Sequence, residues 1–422
     1  MRVVMITTHP PGKGSLNEYA FHFIRCLRQK SEVEAIILLV DELDDGGTYH
    51  DVNIPAGDSG YKTAVTVKPC WRFGAWNNPL RILNAVKAAR PDVVLFNIQF
   101  ASFGSGKIPA TLGLFAPALV KRAGYPTVVL LHNIMETVDL QNAGFAGNPF
   151  IDMVIRFFGN LVTRLILTVD LVALTIPKYV EILTEKYKAT NVFLAPHGSF
   201  EDATALPDFD LPAGPLKIMA FGKFGTYKRI ETLIEAFERL QNSSRPPLEL
   251  VIAGADSPNT PDYLAGVRQQ YAHVPNITFT GYVAEEEVPR IFGESAVVVF
   301  PYTSTTGSSG VLHQAGSYGK AAVLPQIGDF AELIAEEGYT GEFFEPASAD
   351  SLANAIARII DHPARRIEIG RQNFAASQGV PINEVVDWYL LHFETLLDKP
   401  ASATPGRTAP EMQRGRGAGA PA

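Results

Sequence analysis

The chain has 422 residues, of which 46% are hydrophobic and 19% are charged, a balance typical of compact globular proteins and too apolar for a disordered chain. At about 150 residues per domain, this length predicts two or three domains, each large enough to bury its own core. The 44 acidic and 36 basic residues give a net charge of −8. Because no overall positive field is available, we exclude nucleic acid as a partner.

Cysteine content and hydropathy predict a cytoplasmic protein. The two cysteines, Cys26 and Cys70, lie far apart and support neither a disulfide framework nor a cysteine metal site. The first ten residues hold an apolar run that is too brief for a signal peptide and is typical of a buried strand. The most apolar stretch, residues 150–174, is interrupted by charged residues within the ~20 positions that a membrane span needs.

In the first half of the chain, short apolar runs alternate with helical patterns. Runs that are apolar on both faces and separated by amphipathic segments predict a parallel sheet with helices on each side. We therefore predict an α/β, Rossmann-like N-terminal domain over residues 1–200. Its candidate strands are residues 3–6, 35–40, 93–96, 127–131 and 171–174.

A second α/β domain is predicted over residues 216–380, after a proline-containing linker at residues 201–215. Residues 381–399 predict an amphipathic helix that packs back on the N-terminal domain. Residues 400–422 have almost nothing to bury, which predicts disorder. The candidate strands of the second domain, with helical patterns after the first four, are residues 217–221, 249–253, 277–280, 296–300 and 321–324. Since ligands of such folds bind at the carboxyl ends of the strands, we expect the functional site in a cleft between the two domains.

A basic loop follows the first strand of the second domain and precedes a helix. Glycines such as Gly222 let backbone amides approach an anion, and a helix amino terminus adds its positive dipole. Lys223, Lys228 and Arg229 in this loop therefore indicate a diphosphate-binding site. A solvated basic turn is the alternative.

A second loop, after the strand at residues 296–300, brings hydroxyls, glycines and free amides to the start of a helical pattern. Gly307, Ser308, Ser309 and Gly310 are suited there to anionic oxygen. The alternative is an ordinary Ser/Thr cap with a tight turn.

In the first half, two further features lie at strand ends. Gly12 and Gly14 form a G-x-G pattern that lacks the third glycine of a dinucleotide-binding fingerprint. His132 directly follows the strand at residues 127–131 and is a candidate site residue. The alternative is a histidine with a purely structural role. His197 and Gly198 are interpreted as structural residues of the interdomain turn.

The order of these motifs over residues 196–360 resembles the carboxyl-terminal domain of retaining GT-B glycosyltransferases of family 4. The resemblance rests on residues 222–228, 251–255, 277–282, 296–301 and 307–323. It implies two doubly wound domains, a nucleoside-diphosphate-sugar donor bound mainly by the second domain, and a saccharide or lipid-linked acceptor bound by the first. It also implies transfer without a metal or another cofactor, in polysaccharide or glycolipid biosynthesis.

The resemblance assigns roles to several residues. Lys223 stands where the family has an arginine, Lys228 matches the diphosphate-binding lysine, and both would neutralise the leaving group. His132 stands where the family often has a histidine that faces the donor sugar. Residues 307–310 would offer amides to phosphate and sugar oxygens, and Gly12 and Gly14 would face the donor and the acceptor.

The sequence departs from the family at two positions. Thr306 and Gln314 stand where the family has two glutamates, one near the donor sugar and one on the ribose hydroxyls. Gln314 can still donate to and accept from hydroxyls, whereas Thr306 lacks a carboxylate. We hypothesise a retuned donor site. The alternatives are a nucleotide-sugar-binding protein without transferase activity, and a GT-B epimerase or phosphorylase.

Two other segments allow more than one interpretation. Asp208 and Asp210 resemble a metal-binding D-x-D pair, but they lie in the linker and no metal site is predicted. Residues 149–165 fit a core helix better than a surface helix that makes a weak peripheral contact with the inner face of a membrane.

Overall fold

A computed structural model describes residues 1–12, 14, 16–43, 47–49, 53–54, 61–104, 106–137, 149–200, 206–241, 246–257, 260–304, 309–328 and 330–398. The predicted disordered tail at residues 400–422 and the first part of the predicted linker, residues 201–205, lie outside these ranges. Residues 206–215 contain neither helix nor strand.

The N-terminal domain contains an eight-stranded sheet in the order β3-β4-β2-β1-β5-β6-β7-β8. All pairs are parallel except β3 with β4. Its strands are β1 (Arg2–Ile6), β2 (Ala35–Asp41), β3 (Asn53–Ile54), β4 (Val65–Trp71), β5 (Val93–Ile98), β6 (Thr127–Leu131), β7 (Leu171–Leu174) and β8 (Val192–Leu194). Its helices are α1 (Asn17–Leu27), α2 (Asn78–Ala89), α3 (Lys107–Gly113), α4 (Ala116–Arg122), α5 (Pro149–Ile166) and α6 (Pro177–Tyr187).

The second domain contains a six-stranded parallel sheet in the order β11-β10-β9-β12-β13-β14. Its strands are β9 (Leu216–Phe224), β10 (Leu248–Asp256), β11 (Ile277–Gly281), β12 (Ser295–Val299), β13 (Ala321–Pro325) and β14 (Glu342–Phe344). The helices are α7 (Glu231–Gln241), α8 (Tyr263–Gln270), α9 (Val288–Glu294), α10 (Gly310–Ser317), α11 (Phe330–Glu336), α12 (Ala349–Ile360), α13 (Pro363–Ser377) and α14 (Ile382–Asp398).

The central strands of both sheets are buried on both faces, which explains their uninterrupted apolar runs. In β1, Val3 and Met5 enter one apolar cluster while Val4 and Ile6 enter the cluster on the opposite face. In β9, Ile218 and Met219 divide in the same way. Successive side chains of a strand point to opposite faces, so a sheet covered on both sides needs apolar residues at every position. The predicted α/β class is confirmed.

Four short or edge-lying strands were not predicted. The largest, β4, contains Pro69, and a proline inside an apolar run argues against a central strand. Among the described residues, β3 pairs with Val65 and Thr66 of β4, and Pro69 pairs with Val40 of β2. The others, β3, β8 and β14, have two or three residues each.

Helix α14 follows the second domain in sequence and packs on the first. The backbones of Ser199 and Ile382 are hydrogen-bonded, with 2.9 Å from the Ile382 amide to the Ser199 carbonyl. Tyr389 packs edge-on against Phe23 of α1, with 5.3 Å between ring centroids. Buried side chains of α14, among them Val386 and Phe393, belong to the apolar cluster that also contains β1.

Every helix within the described ranges falls short of the length and apolar character that crossing a bilayer requires.

Candidate functional site between the two domains

The two sheets present the carboxyl ends of their central strands to the same region. In the first sheet, β1 lies between β2 and β5, and in the second, β9 lies between β10 and β12, so strand order reverses beside each of these strands. Such switch points open crevices for ligands. The loop after β1 meets the carboxyl end of β9 there, because the Lys223 ammonium donates to the Gly14 carbonyl across the domain boundary at 2.9 Å. Gly222 and Lys223, which were predicted to lie in a loop, belong to β9.

The loop after β1 is tight, and two glycines allow its path. A Cβ at Gly14 would lie 2.2 Å from Thr8 Oγ1, and one at Gly12 would lie 2.8 Å from the His9 carbonyl. The Asn17 amide side chain donates to the Gly12 carbonyl and ties the loop to the start of α1. The structure therefore brings Gly12 and Gly14 to the cleft, where any larger residue would push the loop outward.

Lys223 is a largely buried cation. Burial lowers the pKa of its ammonium to about 8, the charge of Lys228 acts in the same direction, and the carboxylates of Glu18 and Asp41 oppose both. The ammonium is thus close to its titration point at neutral pH, a property common among ionisable groups at functional sites.

Lys228 is buried, with 6% of its surface exposed, and lies close to two tyrosine rings. Its ammonium lies 5.1 Å from the Tyr302 ring centroid and 5.8 Å from that of Tyr227. Burial lowers the pKa of Lys228, but the oxygens of these tyrosines and the Glu18 carboxylate outweigh it, so the pKa lies above its ordinary value. Lys228 is therefore a permanent cation in this cleft.

Gly222 makes room for that cation. Its φ of +126° is a conformation that glycine adopts without strain. A Cβ there would lie 2.6 Å from the Lys228 Nζ. The close approach of the Lys228 ammonium to the Gly222 backbone thus explains why a glycine is found beside the lysines.

Helix α10 contributes Gln314 from the second domain. Gln314 is 2% exposed, and its Nε2 donates to the Glu18 Oε1 of α1 at 3.0 Å. Among the residues that the structure describes, none forms a hydrogen bond with the buried Gln314 Oε1. The Glu18 charge also acts on Lys223 and Lys228, so these four side chains form one polar cluster across the cleft. We refer to Glu18, Lys223, Lys228 and Gln314 as the cleft cluster.

The start of α10 combines a helix cap with a contact between domains. The Ser309 hydroxyl accepts from the Leu312 amide as the N-cap and lies 2.9 Å from the Tyr302 hydroxyl. A Cβ at Gly310 would lie 3.5 Å from the His197 ring. The capping role considered for this loop is therefore present at Ser309. Thr306, Gly307 and Ser308 lie outside the described residues.

Arg229 takes a different direction from the two lysines. Its guanidinium binds the Glu231 carboxylate at 2.5 Å and lies 5.5 Å from the Tyr263 ring centroid. Its side chain is 53% exposed. Within the described part of the chain, these contacts place Arg229 on the surface beside α7 and apart from the cleft cluster.

His132 lies at the carboxyl end of β6, held in one tautomer. The Asn97 amide donates to Thr7 Oγ1 at 2.9 Å, which leaves its Oδ1 to accept from His132 Nε2 at 2.7 Å. Burial, with a smaller effect of His197, lowers the pKa of His132 to about 3. At neutral pH, His132 is therefore an uncharged imidazole whose Nε2 carries the proton.

An aromatic chain links His132 to α10. Tyr19 of α1 lies 4.9 Å from both the His132 and His197 rings, and His197 stacks on His313 at 4.8 Å. Burial lowers the pKa of His197 to about 4, with the Gly198 carbonyl opposing it. Because His313 precedes Gln314, these rings bring His132 into the same interdomain region as the cleft cluster.

Among the residues that the structure describes, no group of three or more histidine, cysteine, aspartate or glutamate side chains is arranged to hold a metal ion. The linker pair is engaged locally, since the Asp208 carboxylate accepts from the Asp210 amide at 2.9 Å.

Comparison with known proteins agrees with this geometry. The model of the family "Glycosyl transferases group 1" matches residues 215–362. Residues 215–362 are therefore similar to the group 1 glycosyltransferases. Mannosylfructose-phosphate synthase of Agrobacterium fabrum is 24% identical over 260 residues, which cover 52% of this chain and 56% of that protein. The chain thus spans little more than half the length of this relative.

Two solved structures share the fold of the whole molecule. Sucrose-phosphate synthase from Thermosynechococcus elongatus is 18% identical, with a TM-score of 0.70 over 94% of this chain and 99% of that chain. The Anabaena protein HepE, solved with UDP and glucose, is 16% identical, with a TM-score of 0.67 over 94% and 100%. The predicted GT-B fold, with two Rossmann-like domains, is confirmed.

Three residues of the site were missed by the sequence analysis. Glu18 has the position of an ordinary acidic residue in the first turn of a helix, where it complements the helix dipole. Tyr302 lies in the loop after β12, for which glycines and small hydroxyl residues were named as site candidates. Asn97 did carry a signal, because it is a polar residue inside the fully buried strand β5. Such a residue must find hydrogen-bond partners, which are Thr7 and His132.

Proposed function

We propose that this protein is a retaining glycosyltransferase that moves a sugar from a nucleoside-diphosphate-sugar to an acceptor. The observation that carries the proposal is the pair of buried ammonium groups, Lys223 and Lys228, beside the glycine loop after β1. Two buried cations in one interdomain cleft suit a diphosphate, which carries two negative charges. The group 1 domain and the UDP complex of the structurally similar HepE support this choice of ligand.

In the proposed reaction, the bond between the sugar C1 and the diphosphate oxygen breaks, and a bond from C1 to the acceptor oxygen forms on the same face. The acceptor proton passes to the departing phosphate oxygen, so no side-chain nucleophile is needed. Lys223 and Lys228 stabilise the negative charge that develops on the diphosphate. His132 is uncharged and held in place by Asn97. It therefore helps to orient the donor sugar and supplies no charge.

A nucleotide-release assay tests the proposal. The protein is incubated with sugars of UDP, GDP and ADP, with and without saccharide acceptors, and the free nucleoside diphosphate is measured. Lys228→Met should lower the release rate by about 100-fold or more, because a transition-state cation is lost. Lys87→Met, at an exposed position of α2, is the matched control and should leave the rate unchanged.

The outcomes of that assay separate the alternatives. A protein that is thermally stabilised by a nucleoside diphosphate but releases none from any donor would be a binding protein. A change of the sugar without an acceptor would indicate an epimerase, and release that depends on inorganic phosphate would indicate a phosphorylase. Any of these three results contradicts the proposed transferase.

Transfer without a metal is part of the proposal, because the two lysines supply the charge that a divalent cation would otherwise supply. Dialysis against EDTA should leave the nucleotide-release rate within twofold of the untreated protein. A loss that added Mg²⁺ or Mn²⁺ restores would contradict it.

We also propose a weak peripheral membrane contact that would suit a lipid-linked acceptor. Helix α5 exposes Phe157, Phe158 and Leu161, with Phe157 65% exposed. An apolar face of this kind inserts into the boundary between headgroups and acyl chains. The protein should float with vesicles that contain anionic lipid, and Phe157→Ser with Phe158→Ser should abolish flotation. Failure of the wild type to float would remove this proposal and leave the transferase reaction untouched.

A further inference from the structure

Two histidine rings meet across the boundary between the domains. His197 follows β8 of the first domain, and His313 lies on α10 of the second. Their rings are stacked, with 4.8 Å between the centroids and an angle of 11° between the planes, and each residue is 6% exposed. The two imidazoles are therefore shielded from water by a contact that exists only while the domains are together.

The contacts of His197 fit the neutral form of its ring. Its Nδ1 lies 3.1 Å from the Gly198 carbonyl oxygen, which can only accept, so this nitrogen carries the proton. The other nitrogen, Nε2, faces the start of α10, where a Cβ added to Gly310 would lie 3.6 Å away. A helix amino terminus carries a partial positive charge. A second proton on His197 would therefore place a cation against the positive end of a helix.

His313 is held in a neutral form by two residues of its own domain. Its Nε2 lies 3.5 Å from a carboxylate oxygen of Glu337, and its Nδ1 lies 2.9 Å from the Tyr339 hydroxyl. Burial raises the pKa of Tyr339, which therefore keeps its proton. Since a carboxylate accepts, the Nε2 proton points to Glu337, and Nδ1 accepts from Tyr339. A second proton, on Nδ1, would displace the hydrogen of that hydroxyl.

The remaining surroundings of the pair also disfavour a positive charge. Burial has the largest effect and lowers the pKa of His197 to about 4, and it lowers that of His313 as well. Within the described ranges, the groups that face His197 on the side of the first domain are Tyr19 and His22 of α1, His132 after β6, and Phe200. The helices α13 and α14 approach the two segments with the uncharged residues Asn373, Ser377, Ile382 and Val385. The carboxylate beside the pair is that of Glu337.

We propose that His197 and His313 form a pH-sensitive latch, which holds the two domains together while both rings are neutral and releases them when either ring is protonated. When the domains separate, both rings become accessible to water, and Glu337 stays beside His313 to pair with the imidazolium. The latch therefore has a proton-free closed form and a proton-bound open form. It needs no ligand and is independent of the proposed transferase reaction.

The direction of the pH effect follows from proton linkage. A histidine in water titrates near its ordinary pKa of 6.5, whereas His197 in the closed contact titrates at about 4. The closed form is therefore fully favoured above about pH 6.5 and loses stability as the pH falls toward 4, because the open form binds protons more tightly. Between pH 7.5 and pH 5.5, the ratio of open to closed molecules should increase about tenfold for each of the two histidines.

Small-angle X-ray scattering of the full chain without ligand measures the separation of the domains. The radius of gyration should increase as the pH falls from 7.5 to 5.5, and it should return to its first value when the pH is restored. Far-UV circular dichroism at each pH distinguishes opening from unfolding, because opening leaves the helices and strands intact.

Variants that cannot titrate test the two rings. The double variant His197→Phe/His313→Phe keeps two stacked rings and should hold the radius of gyration constant between pH 7.5 and pH 5.5. Glu337→Gln removes the carboxylate that pairs with the imidazolium, so opening should begin at a lower pH. His273→Phe, at a side chain that is 63% exposed, is the matched control and should respond as the wild type does. Melting temperatures at pH 7.5 establish that each variant is folded. If the double variant does not fold, His197→Phe alone should reduce the open-to-closed ratio at pH 5.5 by about tenfold.

Three results would overturn the latch. A wild type with the same radius of gyration at pH 7.5 and pH 5.5 has no contact that acid releases. A pH response that survives in the double variant, or in His197→Phe alone at its full size, belongs to other groups. Expansion that is accompanied by loss of the circular dichroism signal is acid unfolding of the chain. Each of these results would leave the proposed function standing, because the measurement contains no donor.

Discussion

At the scale of single residues, the site depends on cations whose charge the protein controls by burial. Lys223 and Lys228 share one cleft, yet burial dominates at Lys223 and the surrounding oxygens dominate at Lys228. Their pKa values consequently shift in opposite directions. One ammonium is permanent, and the other titrates just above neutral pH.

This difference predicts a pH dependence of donor binding. Below pH 8, Lys223 is protonated and attracts the diphosphate; as the pH rises through about 8, the ammonium is lost and the affinity falls. Between pH 7 and pH 9, the charged fraction of Lys223 falls about tenfold, and calorimetry with a nucleotide sugar should show a loss of affinity of that order. Lys223→Arg should remove most of this dependence, because a guanidinium stays charged. A wild-type affinity that is constant from pH 7 to pH 9 would contradict the assignment of Lys223 to the diphosphate.

Gly222 offers a second prediction at this scale. Gly222→Ala places a methyl group 2.6 Å from the Lys228 Nζ and forces alanine into a φ of +126°. Strain of this kind costs about 1–3 kcal/mol, and moving the ammonium should weaken nucleoside-diphosphate binding by about tenfold or more. Gly266→Ala, where an added Cβ meets open space, is the control. Equal affinities of Gly222→Ala and the wild type would show that Lys228 does not reach the ligand.

At the scale of elements, α14 follows the second domain in sequence and packs on the N-terminal domain. Its buried side chains pack with α1, and α1 carries Tyr19 and Glu18 into the cleft. The packing of α14 on α1 therefore contributes to the core of the first domain and also positions the α1 side chains that reach the cleft.

Truncation of a buried ring in α14 should show this. Phe393→Ala should lower the free energy of unfolding by about 3–5 kcal/mol, the usual cost of removing a buried phenylalanine, because Phe393 is fully buried. Leu391→Ala, at a side chain that is 65% exposed on the same helix, should cost less than about 0.5 kcal/mol. Denaturant unfolding followed by circular dichroism measures both. Similar costs for the two variants would show that α14 is not held by this face.

At the scale of the whole molecule, the function needs both domains because each supplies one wall of the cleft. Among the described residues, the contacts that cross the boundary include those of Lys223 with Gly14, Gln314 with Glu18, and His313 with His197. A ligand that enters this cleft should alter the dynamics of both walls.

Hydrogen exchange measures that effect directly. Binding of a nucleotide sugar should slow exchange in residues 7–12 and the first turn of α1 as well as in residues 222–229, because local opening becomes costlier when a ligand joins the walls. Peptides from β4, at the far side of the first sheet, should be unchanged. Protection confined to the second domain would indicate a donor site that the first domain does not share.

The sequence by itself determined the architecture and the second-domain motifs. Apolar runs such as β1 and β9 are local patterns, and a sheet buried on both faces imposes them wherever it occurs. The strand β4 was not predicted, because Pro69 interrupts the apolar pattern by which a strand is recognised. Glycines and lysines around residues 222–228 were also evident, since a loop between a strand and a helix has a recognisable composition.

Only the tertiary structure decided which side chains meet. Glu18 and Gln314 are separated by 296 positions, and no local pattern connects a first-turn acid with a glutamine on another domain. The same holds for Arg229, whose residue type predicts a phosphate ligand and whose position beside Glu231 turns it to the surface. Local sequence determines which helices and strands form. Long-range packing determines the burial, the pKa and the hydrogen-bond partners of each side chain, because these depend on atoms of residues that are distant in sequence.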